Sequence, residues 1–196
     1  MTSADETVFF WINGLVGKVP IIDGIIQVIS CDVFVPVVMF LALIAIWFYG
    51  RNQQVRERHQ RAVICSLTAI GFSNLVVFIL NAILPDRLRP FEAFPEKVNL
   101  LYCQPTDPSF PSNAAAAAFA MAMGIWIYNR RLGYILLIAA LILSFGRVYM
   151  GIHYPLDIVG GFLAAILATG VAWLVLKVAE PIVVRFLSLA RKIYLA

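Results

Sequence analysis

Apolar residues in this chain run in blocks rather than in the short alternations of a soluble helix or strand. Segments 33–50, 62–84, 113–129, 132–146 and 158–176 contain no charged residue. About 20 mostly apolar residues at 1.5 Å rise cross a hydrocarbon core of about 30 Å, so each block predicts a spanning helix. The fourth block is short and must extend past Arg147 to reach the surface. Residues 7–30 are apolar but broken by Gly14, Lys18, Pro20 and Asp23, which predicts one or two helices at the interface or packed against the bundle. In the tail, Ile182, Phe186, Leu189 and Ile193 share one helical face and Arg185, Ser188, Arg191 and Lys192 another, the pattern of a basic amphipathic helix on a membrane surface. Gly160, Ala164 and Ala168, and the run from Ala114 to Ala118, offer the small faces that let helices approach closely in lipid. The predicted fold is all-α: one integral membrane bundle of about five to six transmembrane helices, divided into peripheral residues 1–32, a core over 33–176 and a basic tail over 177–196.

Composition sharpens this. Of 196 residues, 62% are hydrophobic and 13% charged, against about 45–50% and about 25% in an ordinary soluble domain. That excludes a soluble enzyme, a disordered tail and a disulfide-stapled secreted module. A net charge of +4 would suggest nucleic acid as partner in a soluble protein, but here the cations sit between apolar blocks. Arg51, Arg56, Arg58 and Arg61 fill the first connection, Arg130 and Arg131 the third, and Lys177, Arg185, Arg191 and Lys192 the tail. Counted alternately over five spans, all three fall on one side, which the positive-inside rule makes cytoplasmic. The location implied is a multi-pass protein of the inner or plasma membrane, in contact with lipid and not with nucleic acid. Asp5 and Glu6 ahead of the first apolar stretch do not form the basic n-region of a cleavable signal peptide. Cys31 and Cys103 fall on the other side, where a disulfide between them is allowed.

Ionisable residues at the ends of apolar spans are costly, so those that a sequence keeps point to chemistry. Arg89, Ser112, Arg147, His153 and Asp157 all fall at the non-cytoplasmic ends of spans. Two arginines converging there would repel unless an anion joined them, and guanidinium groups grip phosphate oxygens in a fork. Ser112 opens an apolar helix; it is either an ordinary N-cap or part of a phosphate cradle at a positive helix end. Pro155 suits a first helical position, which puts Asp157 in the first turn, within reach of His153. A carboxylate on one imidazole nitrogen frees the other as base, ligand or nucleophile. With His59 placed in the arginine-rich connection and expected to be solvated, no His-rich zinc site can be assembled. The expectation is a site with neither metal nor cofactor.

These residues resemble the motif set of the type-2 phosphatidic acid phosphatase superfamily. Its third motif, Arg-x5-His-x3-Asp, is matched by Arg147, His153 and Asp157; its second, Pro-Ser-Gly-His, is met as Pro111-Ser112-Asn113-Ala114; its first ends as Arg89-Pro90. The match covers residues 85–160 and is most similar to the bacterial BcrC-like undecaprenyl-diphosphate phosphatases. The resemblance implies metal-independent hydrolysis of a polyprenyl or other lipid phosphate. Arg89, Ser112, Asn113 and Arg147 would hold the phosphate, and His153, oriented by Asp157, would be the nucleophile at the extracytoplasmic face. A phosphatidylglycerophosphate or phosphatidate phosphatase, and a non-catalytic lipid-phosphate binder, remain alternatives.

Four positions depart from the pattern. Ala82 stands where the family's first motif begins with Lys, leaving open whether Arg87 replaces its charge. Gly146 stands for a Ser, and Asn113 for a Gly. The largest departure is Ala114, at the position of the family's second histidine, the general acid. Losing such a group costs about 10²- to 10⁴-fold. Ala114 marks either an inactivating substitution or a natural variant with weak or different activity, the first favoured by motifs otherwise largely intact.

Overall fold

The computed structural model describes residues 3–102 and 104–192; the Cys31–Cys103 pairing and the place of Ile193 lie outside the described residues. Among those residues every regular element is a helix: α1 (Ala4–Asn13), α2 (Pro20–Ile29), α3 (Phe34–Phe48), α4 (Gln53–Ile83), α5 (Pro90–Ala93), α6 (Asn113–Tyr128), α7 (Arg130–Tyr149), α8 (Pro155–Val178) and α9 (Glu180–Lys192). Caps fix where they begin. Ser3 and Glu6 form a capping box on α1, Asn52 accepts from Val55 N at 2.9 Å on α4, and Pro155 occupies the first turn of α8, each supplying or sparing an N–H that a helix start leaves unpaired. Asn129 both ends α6 and caps α7, accepting from Leu132 N at 3.2 Å. That makes the tight turn a single residue.

Among the described residues three helices, α4, α7 and α8, are long and apolar enough to cross a membrane, and α2 with α3, bent by 47°, pass together as a fourth. The five to six expected exceed this because α6, though apolar, has only 16 residues. Large apolar side chains such as Phe78, Ile135 and Leu163 are more than half exposed around the bundle, a surface that water would not tolerate and lipid matches. The protein is a multi-pass helical membrane bundle.

In lipid the hydrophobic effect gives no drive between helices, so close packing must hold them. α6 lies at the centre against α4, α7 and α8, presenting Ala115, Ala116, Ala118, Ala120, Ala122 and Gly124, all buried. A Cβ on Gly124 would stand 2.5 Å from Ser66 Cα, and Ser66 Oγ donates to Met121 O at 2.8 Å, so α4 and α6 touch backbone to side chain. α8 buries Ala164 and Ala168 as expected, together with Gly161, Ala165 and Ala172; Gly160 meets the Phe110 ring instead. α3 packs more loosely, through Val35, Met39, Leu43 and Ile46 on one face.

The three basic regions gather at one end. Arg61 of α4 pairs with Glu180 of α9 at 2.6 Å, and Arg191 pairs with Glu57 at 2.7 Å. His59 corrects its expected solvation: it is 3% exposed, with Nδ1 2.7 Å from Tyr49 O and Nε2 3.0 Å from Asn129 Nδ2. One backbone carbonyl and one side-chain amide in reach of one ring let it bind the end of α3, the start of α4 and the end of α6 together. At the other end α1 docks on α7 and α8, burying Phe9 against Tyr154, and α2 leans on α7.

Gly124→Ala should lower the melting temperature in detergent by several degrees, since overpacking costs about 1–3 kcal/mol. Gly170→Ala, where a Cβ meets nothing within 4 Å, should leave it equal or higher. Equal effects at both positions would remove the small-residue account of the bundle.

Candidate functional site

At the end opposite the basic cluster, chain segments from α1 to α8 converge. Asp157 is the hub, with a side chain that has no exposed surface. Its Oδ1 accepts from Arg87 Nη1 at 2.6 Å, and its Oδ2 from Ser109 Oγ at 2.6 Å and Tyr154 N at 2.8 Å. Its backbone oxygen accepts from Ser112 N at 3.0 Å, which ties the start of α6 to the start of α8. Arg87 lies 4.1 Å above the Tyr154 ring and also pairs with Asp5 of α1. It is thus turned to two carboxylates behind the site and does not line the cavity.

His153 is 2% exposed. Asp157 Oδ2 comes within 3.6 Å of its Nδ1, but the shorter contact is with Ser109 O at 3.0 Å. A carbonyl can only accept, so Nδ1 carries the proton, and Asp157 acts on the ring chiefly through Ser109. Nε2 then keeps its lone pair, 3.3 Å from Arg89 Nη1. Burial, with the Arg89 and Arg147 charges and against the pull of Asp157, lowers the imidazole pKa from its usual value. The ring is therefore neutral and nucleophilic near neutral pH.

Both arginines are buried and paired. Arg89, 1% exposed, donates Nε to Asp107 O and Nη2 to Asp107 Oδ1, each at 2.9 Å. Burial lowers its pKa, Asp107 opposing. Arg147, 4% exposed, pairs through Nη1 with Asp32, while its buried Nε has no partner among the described residues. Asp32 and Asp107 are themselves about half exposed. Two solvent-facing carboxylates thus sit where buried guanidinium groups could take a phosphate.

A cavity of about 690 Å³ opens onto this cluster. Asn113, Ala114, Arg147 and His153 line it together with Asp32 and Asp107. Of the other sequence candidates, Arg89 touches His153, and Ser112 and Asp157 lie buried behind. Ser112 Oγ reaches Ala115 N at 3.5 Å, a long cap bond. Away from the charges the wall is apolar, formed by Val37, Phe40, Leu41, Leu67, Ile70 and Met121 of α3, α4 and α6. Such a cavity can hold an anionic head and an apolar tail at once.

Sequence reasoning missed Asp5, Asp32 and Asp107, whose partners lie up to 151 residues away, and the role of Ser109. Gly146 also proved more than a lost hydroxyl. A Cβ there would fall 1.7 Å from Ser30 Oγ, so the bare backbone lets the end of α2 dock and brings Asp32 onto Arg147.

Comparison with known proteins places this geometry. Residues 62–180 match the PAP2 superfamily. Undecaprenyl-diphosphatase BcrC of Bacillus subtilis is 31% identical over 160 residues, 82% of this chain and 78% of that protein. The crystal structure of Aquifex aeolicus LpxE superposes with a TM-score of 0.67 at 24% identity, covering 88% of this chain and 96% of that one. A PAP2-type phosphatidylglycerolphosphate phosphatase from Bacillus subtilis gives 0.58 at 19% identity, covering 87% and 85%. Helical membrane fold, motif residues gathered at one cavity and a match across more than half the sequence lead to one conclusion: the chain belongs to the PAP2 superfamily, as a membrane phosphatase.

Proposed function

We propose that this chain hydrolyses undecaprenyl diphosphate, or a closely similar polyprenyl diphosphate, to the monophosphate and phosphate, without metal and through a phosphohistidine. The carrying observation is the single cavity that joins His153 and Arg147 to an apolar wall on α3, α4 and α6. The BcrC relative of Bacillus subtilis, named as an undecaprenyl-diphosphatase, supports the choice of lipid. The basic end, with ten of the fifteen Lys and Arg, is assigned to the cytoplasm by the positive-inside rule. That turns the site to the extracytoplasmic face of the inner or plasma membrane.

In this reading the terminal phosphate displaces Asp32 and Asp107 and takes Arg147 and Arg89, with Ser112 and the backbone N–H groups near Asn113 completing the cradle. His153 Nε2 attacks phosphorus as the bridging P–O bond breaks and the lipid monophosphate leaves. Water then cleaves the N–P bond, returning His153 and releasing phosphate. Catalysis comes from positioning and from guanidinium charge on the equatorial oxygens. Ala114 cannot protonate the leaving group. A phosphate leaving group is far less basic than an alkoxide, so a diphosphate depends less on that proton than a monoester does.

The deciding experiment is phosphate release from undecaprenyl diphosphate in detergent with chelator, comparing the chain with Ala114→His and with Ala114→His plus His153→Ala. Ala114→His should raise the rate about 10²- to 10⁴-fold, and the added His153→Ala should abolish it. No release by any of the three would leave a lipid-phosphate binder. The gain from Ala114→His should be larger on phosphatidate than on the diphosphate; equal gains would remove the leaving-group argument. For pH, His153 must be neutral to attack and its pKa is lowered, so activity should hold as pH falls through about 6.5, the ordinary histidine value, and fail only below it. An alkaline limb should appear only in Ala114→His. A separate readout is vanadate binding, which Asp32→Asn should tighten several-fold by removing the carboxylate that competes for Arg147; weaker binding would mean that Asp32 organises the site rather than occupying it.

A further inference from the structure

At the basic end, a second cavity of about 420 Å³ is lined by Arg51, Asn52, Gln53, Arg56, Gln60 and Arg191. It lies where α3 turns into α4 and the end of α9 comes alongside. No carboxylate lines it. Arg51 and Arg56 are exposed and have no ion pair among the described residues. Arg191 uses one nitrogen, Nη2, on Glu57. Only two of the eleven Asp and Glu, Glu57 and Glu180, lie at this end. Three guanidinium groups line one cavity and only Arg191 is partnered by an acid, so the pocket keeps an excess of positive charge that calls for an anion.

The surroundings say which kind. Trp47, Trp126 and Trp173 lie in the closing turns of α3, α6 and α8, with Arg130 3.3 Å above Trp126 and Lys177 3.9 Å above Trp173. Tryptophans with cations just beyond them mark the membrane interface. The pocket begins past Trp47, at the level of phospholipid head groups. Beneath it a groove of about 330 Å³ is lined wholly by apolar side chains, among them Leu43, Ile44, Trp47, Val63, Leu67 and Phe186. Gln53, Arg56, Gln60, Val63 and Leu67 step along one face of α4, so the arginine pocket and the groove follow one seam. A free phosphate would use the arginines and leave the groove empty.

We propose that this seam is a binding site for an anionic glycerophospholipid, its head-group phosphate held by Arg51, Arg56 and Arg191 and one acyl chain lying in the groove below. The site is separate from the catalytic cavity, and its assignment does not depend on what that cavity hydrolyses. Native mass spectrometry of the full chain, released from phosphatidylcholine bilayers with and without phosphatidylglycerol, tests it. One phosphatidylglycerol should remain bound. Arg51→Gln plus Arg56→Gln should weaken its retention about fivefold for each arginine. Arg58→Gln plus Arg131→Gln, which removes equal charge from the same end outside the pocket, should not. Excess inorganic phosphate should fail to displace the lipid. Equal loss from both pairs, or none from either, would reduce the patch to diffuse surface charge; displacement by phosphate would make the ligand a free anion. Melting in phosphatidylcholine alone checks that the variants fold, and single Arg56→Gln serves if the pocket pair does not.

Discussion

A carboxylate with no exposed surface must have its charge answered where it stands, and for Asp157 the answering groups assemble the site. Arg87, Ser109 and the Tyr154 N–H occupy its oxygens. Through them the carboxylate fixes the first turn of α8, the loop ahead of α6 and, by way of Asp5, helix α1. Ser109 in turn sets the tautomer of His153 through its carbonyl. Leaving such a carboxylate unpaired would cost several kcal/mol, so the partners and His153 are held together. The N-terminal helix, peripheral by composition, is thereby made part of the site's foundation.

The two arginines at the cavity show how buried cations can be kept available. Asp107 and Asp32 pair with them from solvent-facing positions, so the carboxylates can turn back into water while the guanidinium groups stay buried. A ligand with more charge and better fork geometry can replace them without rebuilding the protein. Resting pairs of this sort keep the guanidinium groups folded in place and leave their charge on call.

The spans could be read in the sequence because lipid imposes a coarse rule, uncharged blocks of fixed length, which α4, α7 and α8 obey. The third motif was legible for a similar reason: Arg147, His153 and Asp157 bracket one helix end and the next start, so spacing alone predicts their convergence. Asp32 and Asp5 were not legible, because their partners lie across the fold and a lone acid in a connection carries no periodic signal. His59 was misplaced by its charged neighbours in sequence; the helix turned it inward to Tyr49 and Asn129. Gly146 looked like a lost hydroxyl because the identity of the neighbour filling its space, Ser30, is a tertiary fact.

The brevity of α6 sets the depth of the chemistry. From Ser112 to Trp126 is 14 residues, about 21 Å along the helix, and from Asp157 to Trp173 on α8 is 16, about 24 Å. A hydrocarbon layer is about 30 Å thick. Measured along these helices, the candidate site thus stands several ångströms less than a full hydrocarbon thickness from the tryptophans. On the proposed reading, a lipid's phosphate would have to be drawn down toward the arginines while its tail stays at its own level.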